Sequence, residues 1–381
     1  MDFEPTEEQK MFRSMVRDFA IKELEPVAAQ IDEKGKYPAE QVRKIADLGL
    51  MGLTIPEEYG GSGKGRVEFC IAVEELARAS ASAASYFRIS LSLAIPPIAM
   101  YATHEQKQRF LVPHARGEKL ACFALTEAGA GSDPASLETT AVKQGDGYVI
   151  NGTKLFISIG AEAEIITVFA TIDKSLRHRG ITAFIVEKSN PGFSVGKLEN
   201  KLGFHGLSAA ELLFKDCFVP KESLLGEEGQ GLKVALDALD ESRITVGAEA
   251  VGISQAALDA SINYAKERHQ YGQRIANFQA IQWMLADMAT QIEAARLLTY
   301  YAADRMDKGL PYAKEAAMAK LFASEASSFV TNKAIQIHGG YGYTKDYPLE
   351  RYLRDAKLTE IYEGTSEMMR MTIARALVGK A

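Results

Sequence analysis

The 381-residue chain contains only three cysteines and six histidines. Cys70, Cys122 and Cys217 are odd in number and widely spaced, which excludes a disulfide frame and a thiolate zinc site and leaves small buried hydrophobes. His104, His114, His178, His205, His269 and His338 form no HExxH and no i,i+4 pair, so no metal is indicated. Positive charge is also scarce. Forty-four Lys+Arg against 50 Asp+Glu give a net charge of −6, which offers no counterion-releasing surface to nucleic acid. No run of 18 apolar residues occurs. The longest candidate, Leu91 to Met100, is interrupted by Ser92, Pro96 and Pro97 and is too short to span a bilayer, so no membrane insertion is expected. The start, Met1-Asp2-Phe3-Glu4-Pro5, lacks the basic and apolar regions of a signal peptide and the Arg/Ser-rich character of a transit peptide. It reads as a cytoplasmic chain of bacterial type, or an organellar one already trimmed. No G-x-G-x-x-G follows a strand in a βαβ setting and no G-x-x-x-x-G-K-[ST] is present, which removes the ordinary dinucleotide and P-loop sites.

What is present is ordinary globular composition, 47% hydrophobic and 25% charged, at a length that suits two or three domains. Residues 1–119 read as an N-terminal helical bundle. Thr6-Glu7-Glu8-Gln9 is a capping box opening a helix to about residue 22, and Pro38 stands at the N1 position of another. Pro56 to Gly63 forms a long breaker, after which Val67 to Ala79 and Ser85 to Met100 predict two packed helices. Residues 120–230 carry glycines and short β-branched runs, with a hairpin signal at Gly145-Asp146-Gly147, and predict a central antiparallel β domain. From 231 to 381 helical periodicity returns. Phe278, Ile281, Leu285, Met288, Ile292, Ala295 and Leu298 form one stripe of a C-terminal four-helix-type bundle. The fold class is α+β, mainly α.

Two small-residue segments and one acidic one stand out. Phe123-Ala124-Leu125-Thr126-Glu127-Ala128-Gly129-Ala130-Gly131-Ser132-Asp133 would let a ligand approach the backbone, or is simply a Gly/Ser turn. Gln336-Ile337-His338-Gly339-Gly340-Tyr341-Gly342-Tyr343 reads as a helix C-cap or as a second close approach. In Ile361-Tyr362-Glu363-Gly364-Thr365-Ser366-Glu367, Glu363 is either a helix-terminal or surface acid, or a functional carboxyl with apolar neighbours. Glu367 looks like part of a Ser/Thr-x-x-Glu helix start.

Taken in order over essentially the whole chain, these pieces resemble the acyl-CoA dehydrogenase family. The first signature is Ala124-Leu125-Thr126-Glu127-x-x-Gly129-x-Gly131-Ser132-Asp133. The second is Gln336-x-x-Gly339-Gly340-x-Gly342-Tyr343-x-x-Asp346 with Arg351 and Asp355. Asn151-Gly152-Thr153-Lys154, Glu267-Arg268-x-Gln270-Tyr271-Gly272, Phe278-Gln279 and Ile361-Tyr362-Glu363-Gly364-Thr365 fall in family order.

The resemblance implies FAD held between the β domain and the C-terminal bundle, and α,β-dehydrogenation of an acyl-CoA thioester to the 2-enoyl-CoA. Glu363 takes the α-proton while a hydride leaves Cβ for FAD. An α-proton beside a thioester is a very weak acid, so a positioned carboxylate, donors to the thioester oxygen and an electron acceptor are all needed. Phe123, Leu125, Thr126, Gly131 and Ser132 would line the flavin, with Ser132 also reaching the CoA side. Phe156, Ile157 and Ser158 would lie beside the isoalloxazine, with Phe156 where relatives carry tryptophan and Ser158 where they carry threonine. Arg268 and Gln279 would reach FAD from a neighbouring subunit, against Gln336, Gly339 and Gly340, with Thr365 and Glu367 near the adenine half. Shared cofactor sites imply a homo-oligomer, usually a tetramer. Asp240, Arg243, Tyr362 and Gly364 would meet the substrate.

Some relatives carry their base at the place of Ser242. Glu241 is one residue off and points about 100° away on a helix, so the base is assigned to Glu363. Arg88 falls in the stretch that should floor the acyl pocket. It either faces outward or pairs with a local acid, or it meets a distal carboxylate and makes the substrate a dicarboxylyl-CoA. A branched or cyclic acyl group is a further alternative. With no second redox centre visible in the sequence, electron-transferring flavoprotein is the implied electron acceptor. The rivals are a nitroalkane oxidase or flavin monooxygenase on the same scaffold, against which Glu363-Gly364 argues, and a non-catalytic flavoprotein.

Overall fold

The computed structural model describes residues 4–379. The reading of Met1, Asp2 and Phe3, and the outer end of the C-terminal segment at 380–381, lie outside the described residues. The expected capping box is formed: Gln9 N donates to Thr6 Oγ1 at 3.2 Å and Thr6 N to the Gln9 side-chain oxygen at 3.0 Å. It opens α1 (Glu7–Glu23), followed by α2 (Ala28–Lys34) and α3 (Ala39–Asp47), with Pro38 at the N-cap of α3 rather than at N1. The two helices expected between Val67 and Met100 run together as α4 (Arg66–Ile89), a π-helical turn (Ser90–Ala94) and α5 (Ile95–Tyr101). The rod bends at Ser80 (φ −155°, ψ 99°), just past Ala79, where the first of the two expected helices ends. Pro96 and Pro97 fall in the first turn of α5, where a missing N–H costs little. The stretch Arg66–Tyr101 is long and apolar enough to cross a membrane, with a window of mean hydropathy 1.2, but 89% of that window is buried inside the protein, as in a core helix. Helix α6 (His104–Ala115) leads into the sheet.

The strands are β1 (Ala121–Ala124), β2 (Thr140–Gln144), β3 (Gly147–Ser158), β4 (Ile165–Thr171), β5 (Ile181–Glu187), β6 (Phe193–Leu198), β7 (Ala209–Pro220) and β8 (Leu224–Leu225). They pair in the order β6-β7-β3-β2-β4-β5-β8, with β1 on β4. The Gly145-Asp146 turn joins β2 to β3 with Gln144 opposite Gly147. The expectation of an antiparallel domain needs correction, because the sheet is mixed: β1 runs parallel to β4, and β2 meets β4 in parallel at Thr140 and Thr171. The β2–β3 hairpin lies between β1 and β4 in the chain, and so long a connection brings strands back parallel, which local turn signals do not reveal.

Past the sheet come α7 (Gly231–Glu267), a hairpin of β9 (His269–Gln270) and β10 (Gln273–Arg274), α8 (Gln279–Asp307), α9 (Ala313–His338), α10 (Leu349–Thr359) and α11 (Ser366–Val378). Met288, Ile292 and Ala295 of the expected α8 stripe are buried against α7 and α9. Helix α4 also packs on α7, so a single apolar core runs from the N-terminal helices through the sheet to α7. The architecture is a mainly helical three-part α+β fold with a central sheet. All three cysteines are free and buried.

Candidate active site

Glu363 lies in the short link between α10 and α11 in the left-handed region, with φ 55°. A side chain with a Cβ rarely adopts that conformation unless its surroundings hold it there. Gly364 follows at φ 101°, and a Cβ on it would come within 2.7 Å of Met369 Cε. The link is thus shaped around glycine, and Thr365 then caps α11 by accepting from Met368 N. Glu363 is neither a surface acid nor part of a helix start, since its side chain is only 5% exposed. Glu367 is exposed at the second position of α11, one residue short of a capping-box partner.

Side chains of two helices converge on the Glu363 carboxyl. From α4, Arg88 Nη1 donates to Glu363 Oε1 at 3.0 Å; from α7, Ser242 Oγ donates to Oε2. Behind Ser242, Ser92 Oγ lies 3.1 Å away and accepts from Thr245 Oγ1 at 3.0 Å. Arg243 reaches the Glu363 backbone carbonyl through Nε at 3.4 Å and pairs with Asp240. Lys320 of α9, 0% exposed, donates to the Gly364 carbonyl, and burial pulls its ammonium down to about 8.

Arg88 is 0% exposed, which corrects the outward-facing reading, and it has acids for partners. Its Nε lies 3.1 Å from Glu249 Oε2, Nη2 donates to Tyr362 Oη at 2.9 Å, and its guanidinium stacks 5.0 Å from the Tyr362 ring centroid. Glu249 in turn accepts from Ser85 Oγ at 2.6 Å and from Tyr362 Oη. Burial would lower the Arg88 guanidinium, but Glu249 and Glu363 more than offset it and hold it above its usual range. Glu241 faces elsewhere, with Arg66 Nε 2.8 Å from its carboxyl, as the helical angle from Ser242 requires.

A second group of expected residues gathers on the sheet. The turn from Glu127 to Ala130 closes on itself, and Leu155 N donates to Thr126 O at 2.9 Å, which fixes the Thr126–Ser132 loop beside β3. Buried Lys154 donates to Glu127 Oε1 at 2.7 Å and to the Leu125 carbonyl at 3.1 Å. Phe123, Leu125 and Ile157 point into the core, while Thr126 and Ser158 are half-buried and Gly131 and Ser132 are exposed. Phe156 turns its ring outward, 61% exposed, at φ 58°. Nothing lies within 4 Å of where a Cβ would stand on Gly129 or Gly131. An outward aromatic ring beside an open Gly/Ser loop with a free approach to the backbone fits a flat, polyhydroxylated cofactor such as FAD.

The remaining expected cofactor residues occupy one end of the C-terminal bundle. Arg268 caps α7, Gln279 begins α8, and Gln336, Gly339 and Gly340 close α9, where Gly339 has φ 59°. These five are exposed, and Arg268 lies 5.8 Å over the Tyr341 ring.

Sequence reasoning missed Glu249, Ser85, Ser92, Thr245 and Lys320. Glu249 could have been found: it is the charged residue in Gly247-Ala248-Glu249-Ala250-Val251, two helical turns after Ser242 and therefore on the same face. Lys320 had the same signal within Ala316-Ala317-Met318-Ala319-Lys320-Leu321. Among the described residues, no group of three or more His, Cys, Asp or Glu side chains is placed to hold a metal ion.

Comparisons with known proteins bear on the family and the fold. Family models described as the N-terminal, middle and C-terminal domains of acyl-CoA dehydrogenase match residues 6–118, 122–217 and 229–378. The acryloyl-CoA reductase (NADH) of Anaerotignum propionicum is 52% identical over 380 residues, covering 99% of this chain and 96% of that protein. The butyryl-CoA dehydrogenase structure from Megasphaera elsdenii superposes with a TM-score of 0.98 at 45% identity, over 99% of this chain and 100% of that one. A chain from work on the electron transferring flavoprotein of Acidaminococcus fermentans and flavin-based electron bifurcation also has a TM-score of 0.98, at 49% identity and full coverage of both chains.

Proposed function

We propose, for a chain that belongs to the acyl-CoA dehydrogenase family of FAD-dependent oxidoreductases, that it interconverts a short saturated acyl-CoA thioester and its 2-enoyl-CoA with Glu363 as the α-proton base. One observation carries the assignment: a buried carboxyl in a left-handed link, gripped by side chains of two other helices. Strain of this kind, ~1–3 kcal/mol, persists only where the surroundings over-determine it, and it concentrates at functional sites.

Glu363 accepts the proton from Cα, and Ser242 and Arg88 aim the accepting oxygens. Bound FAD supplies the acceptor for the hydride that leaves Cβ. Gly364 leaves room for the acyl group to pass the backbone, and Lys320 and Arg243 hold the carbonyls of the link so that the carboxyl does not swing away. Phe156, Thr126, Gly131, Ser132 and Ser158 would hold the flavin. The exposed Arg268, Gln279, Gln336, Gly339 and Gly340 would complete an FAD site across a subunit boundary in a homotetramer. Electrons would then pass to electron-transferring flavoprotein, as the relative from the Acidaminococcus work suggests.

A short acyl group is favoured on two grounds. Relatives are named for acryloyl-CoA and butyryl-CoA, and the groups behind the carboxyl, Ser85, Arg88, Ser92, Thr245 and Glu249, offer little apolar wall to a long chain. The distal-carboxylate role considered for Arg88 is disfavoured because its guanidinium already faces Glu249, Glu363 and Tyr362.

The test is anaerobic titration of the FAD-loaded protein with straight, branched, cyclic and dicarboxylyl-CoA thioesters while the oxidised flavin band is followed. Bleaching by short straight-chain thioesters is expected. Bleaching by none of the panel would remove the dehydrogenase reading, and bleaching by dicarboxylyl-CoA alone would restore the other role of Arg88.

A further inference from the structure

Among the described residues, Arg88 is the cation seated on the Glu363 carboxylate itself, since Arg243 and Lys320 bind the backbone carbonyls of Glu363 and Gly364. The guanidinium is braced from behind by Glu249, which Ser85 and Tyr362 hold in place. The result is a buried row of carboxylate, guanidinium and carboxylate in which Arg88 and Glu249 are 0% exposed and solvent screening is slight.

Resting on the reading of Glu363 as the base, we propose that Arg88, with Glu249 as its brace, is a positioning residue that biases the on-enzyme equilibrium toward the saturated thioester and so fits the enzyme to reduce 2-enoyl-CoA. In the oxidative direction the Cα–H bond breaks and its proton goes to Glu363. The Cβ hydrogen leaves with its electron pair to FAD, and the Cα=Cβ bond forms. Taking up that proton neutralises Glu363 and discards its ion pair with Arg88 in a dry site. The reductive direction runs the same bonds backwards: Glu363 gives its proton to Cα and regains the pair. Arg88 therefore opposes oxidation and assists reduction, while Glu249 shares the guanidinium and keeps its hold on Glu363 from becoming complete.

This arrangement sets opposite signs for two neighbouring substitutions, which a merely structural role does not. FAD-loaded wild type, Arg88→Met, Arg88→Lys, Glu249→Gln and the double variant Arg88→Met/Glu249→Gln are equilibrated anaerobically with a fixed excess of butyryl-CoA and crotonyl-CoA, and the bleached fraction of the flavin is read. Thermal melting of each variant controls for folding. The ratio of bleached to oxidised flavin should rise about tenfold or more in Arg88→Met, the lower range of coupling between close charge pairs. It should stay raised in the charge-balanced double variant, return toward wild type in Arg88→Lys, and fall below wild type in Glu249→Gln. An unchanged ratio in the double variant, or a shift of Glu249→Gln in the same direction as Arg88→Met, would overturn the proposal. A wild type whose flavin is neither bleached by butyryl-CoA nor, once reduced, reoxidised by crotonyl-CoA would overturn the reading on which it rests.

Discussion

Glu127 and Glu363 are both buried beside a cation, Lys154 in one case and Arg88 in the other, but their remaining partners differ in kind. Glu127 accepts from the backbone N–H groups of Glu138 at 2.6 Å and Thr139 at 3.1 Å, and Lys154 spends a second bond on the Leu125 carbonyl. Glu363 is held by side chains alone, on a link with left-handed backbone. Burial raises Glu127, but the Lys154 charge and these bonds outweigh it and hold the carboxyl below its usual range, while burial pulls Lys154 down to about 8. A carboxylate clamped by backbone amides cannot change partners without moving the sheet. One clamped by a serine and an arginine can trade them for a proton. The first pair fixes the loop against which FAD would lie, and the second is the one the proposed proton transfer would use.

The largest effect should separate the two sites most sharply. Glu363→Gln keeps the shape of the side chain but cannot take a proton, and should lower the rate of flavin bleaching by about 10²–10⁴-fold, the range for a positioned general base, with little change in melting temperature. Stopped-flow absorbance together with thermal denaturation reads both. At Glu127 the balance should reverse. Lys154→Met leaves a buried carboxylate without its cation and should cost ~3–5 kcal/mol of stability. Adding Glu127→Gln should recover part of that loss in urea unfolding, and a larger loss in the double variant would mean that the pair does not act as a unit. Ser242→Ala removes one bond to a charged acceptor, worth ~1.5–3 kcal/mol. It should slow bleaching by roughly 10–100-fold while leaving thioester binding in place, and an equal loss in both would make Ser242 a binding group instead.

The smallest effect concerns pH. Lys154 sits near 8 in the folded protein against an unfolded value of 10.5, so between those limits the unfolded chain binds the extra proton. Stability contributed at this position therefore rises as pH increases from about 8 to 10.5. Wild type should gain on the Lys154→Met/Glu127→Gln variant across that window in melting temperature, and a constant difference would mean that Lys154 titrates normally.

Much of this was legible in the residues. The Thr6 capping box, the Gly145-Asp146 hairpin and the α8 stripe follow from local periods and caps, which need no knowledge of what packs against them. Glu363 was legible through its resemblance-bearing segment, and the angular offset of Glu241 from Ser242 was enough to place Glu241 elsewhere. The parallel pairing of β1 with β4 was hidden because it joins segments separated by an entire hairpin. Arg88 was suspected but assigned no definite partner. Its acids, Glu249 and Glu363, are 161 and 275 residues further along the chain, and only the crossing of α4 with α7 and the turn before α11 brings the three together.

The most direct test of the central claim is a single-turnover experiment under anaerobic conditions, mixing FAD-loaded wild type and Glu363→Gln with saturating butyryl-CoA and recording both thioester binding and flavin bleaching. The account predicts that both proteins bind the thioester and that only wild type bleaches at an appreciable rate. A Glu363→Gln protein that bleaches as fast as wild type would contradict it and move the base to another residue.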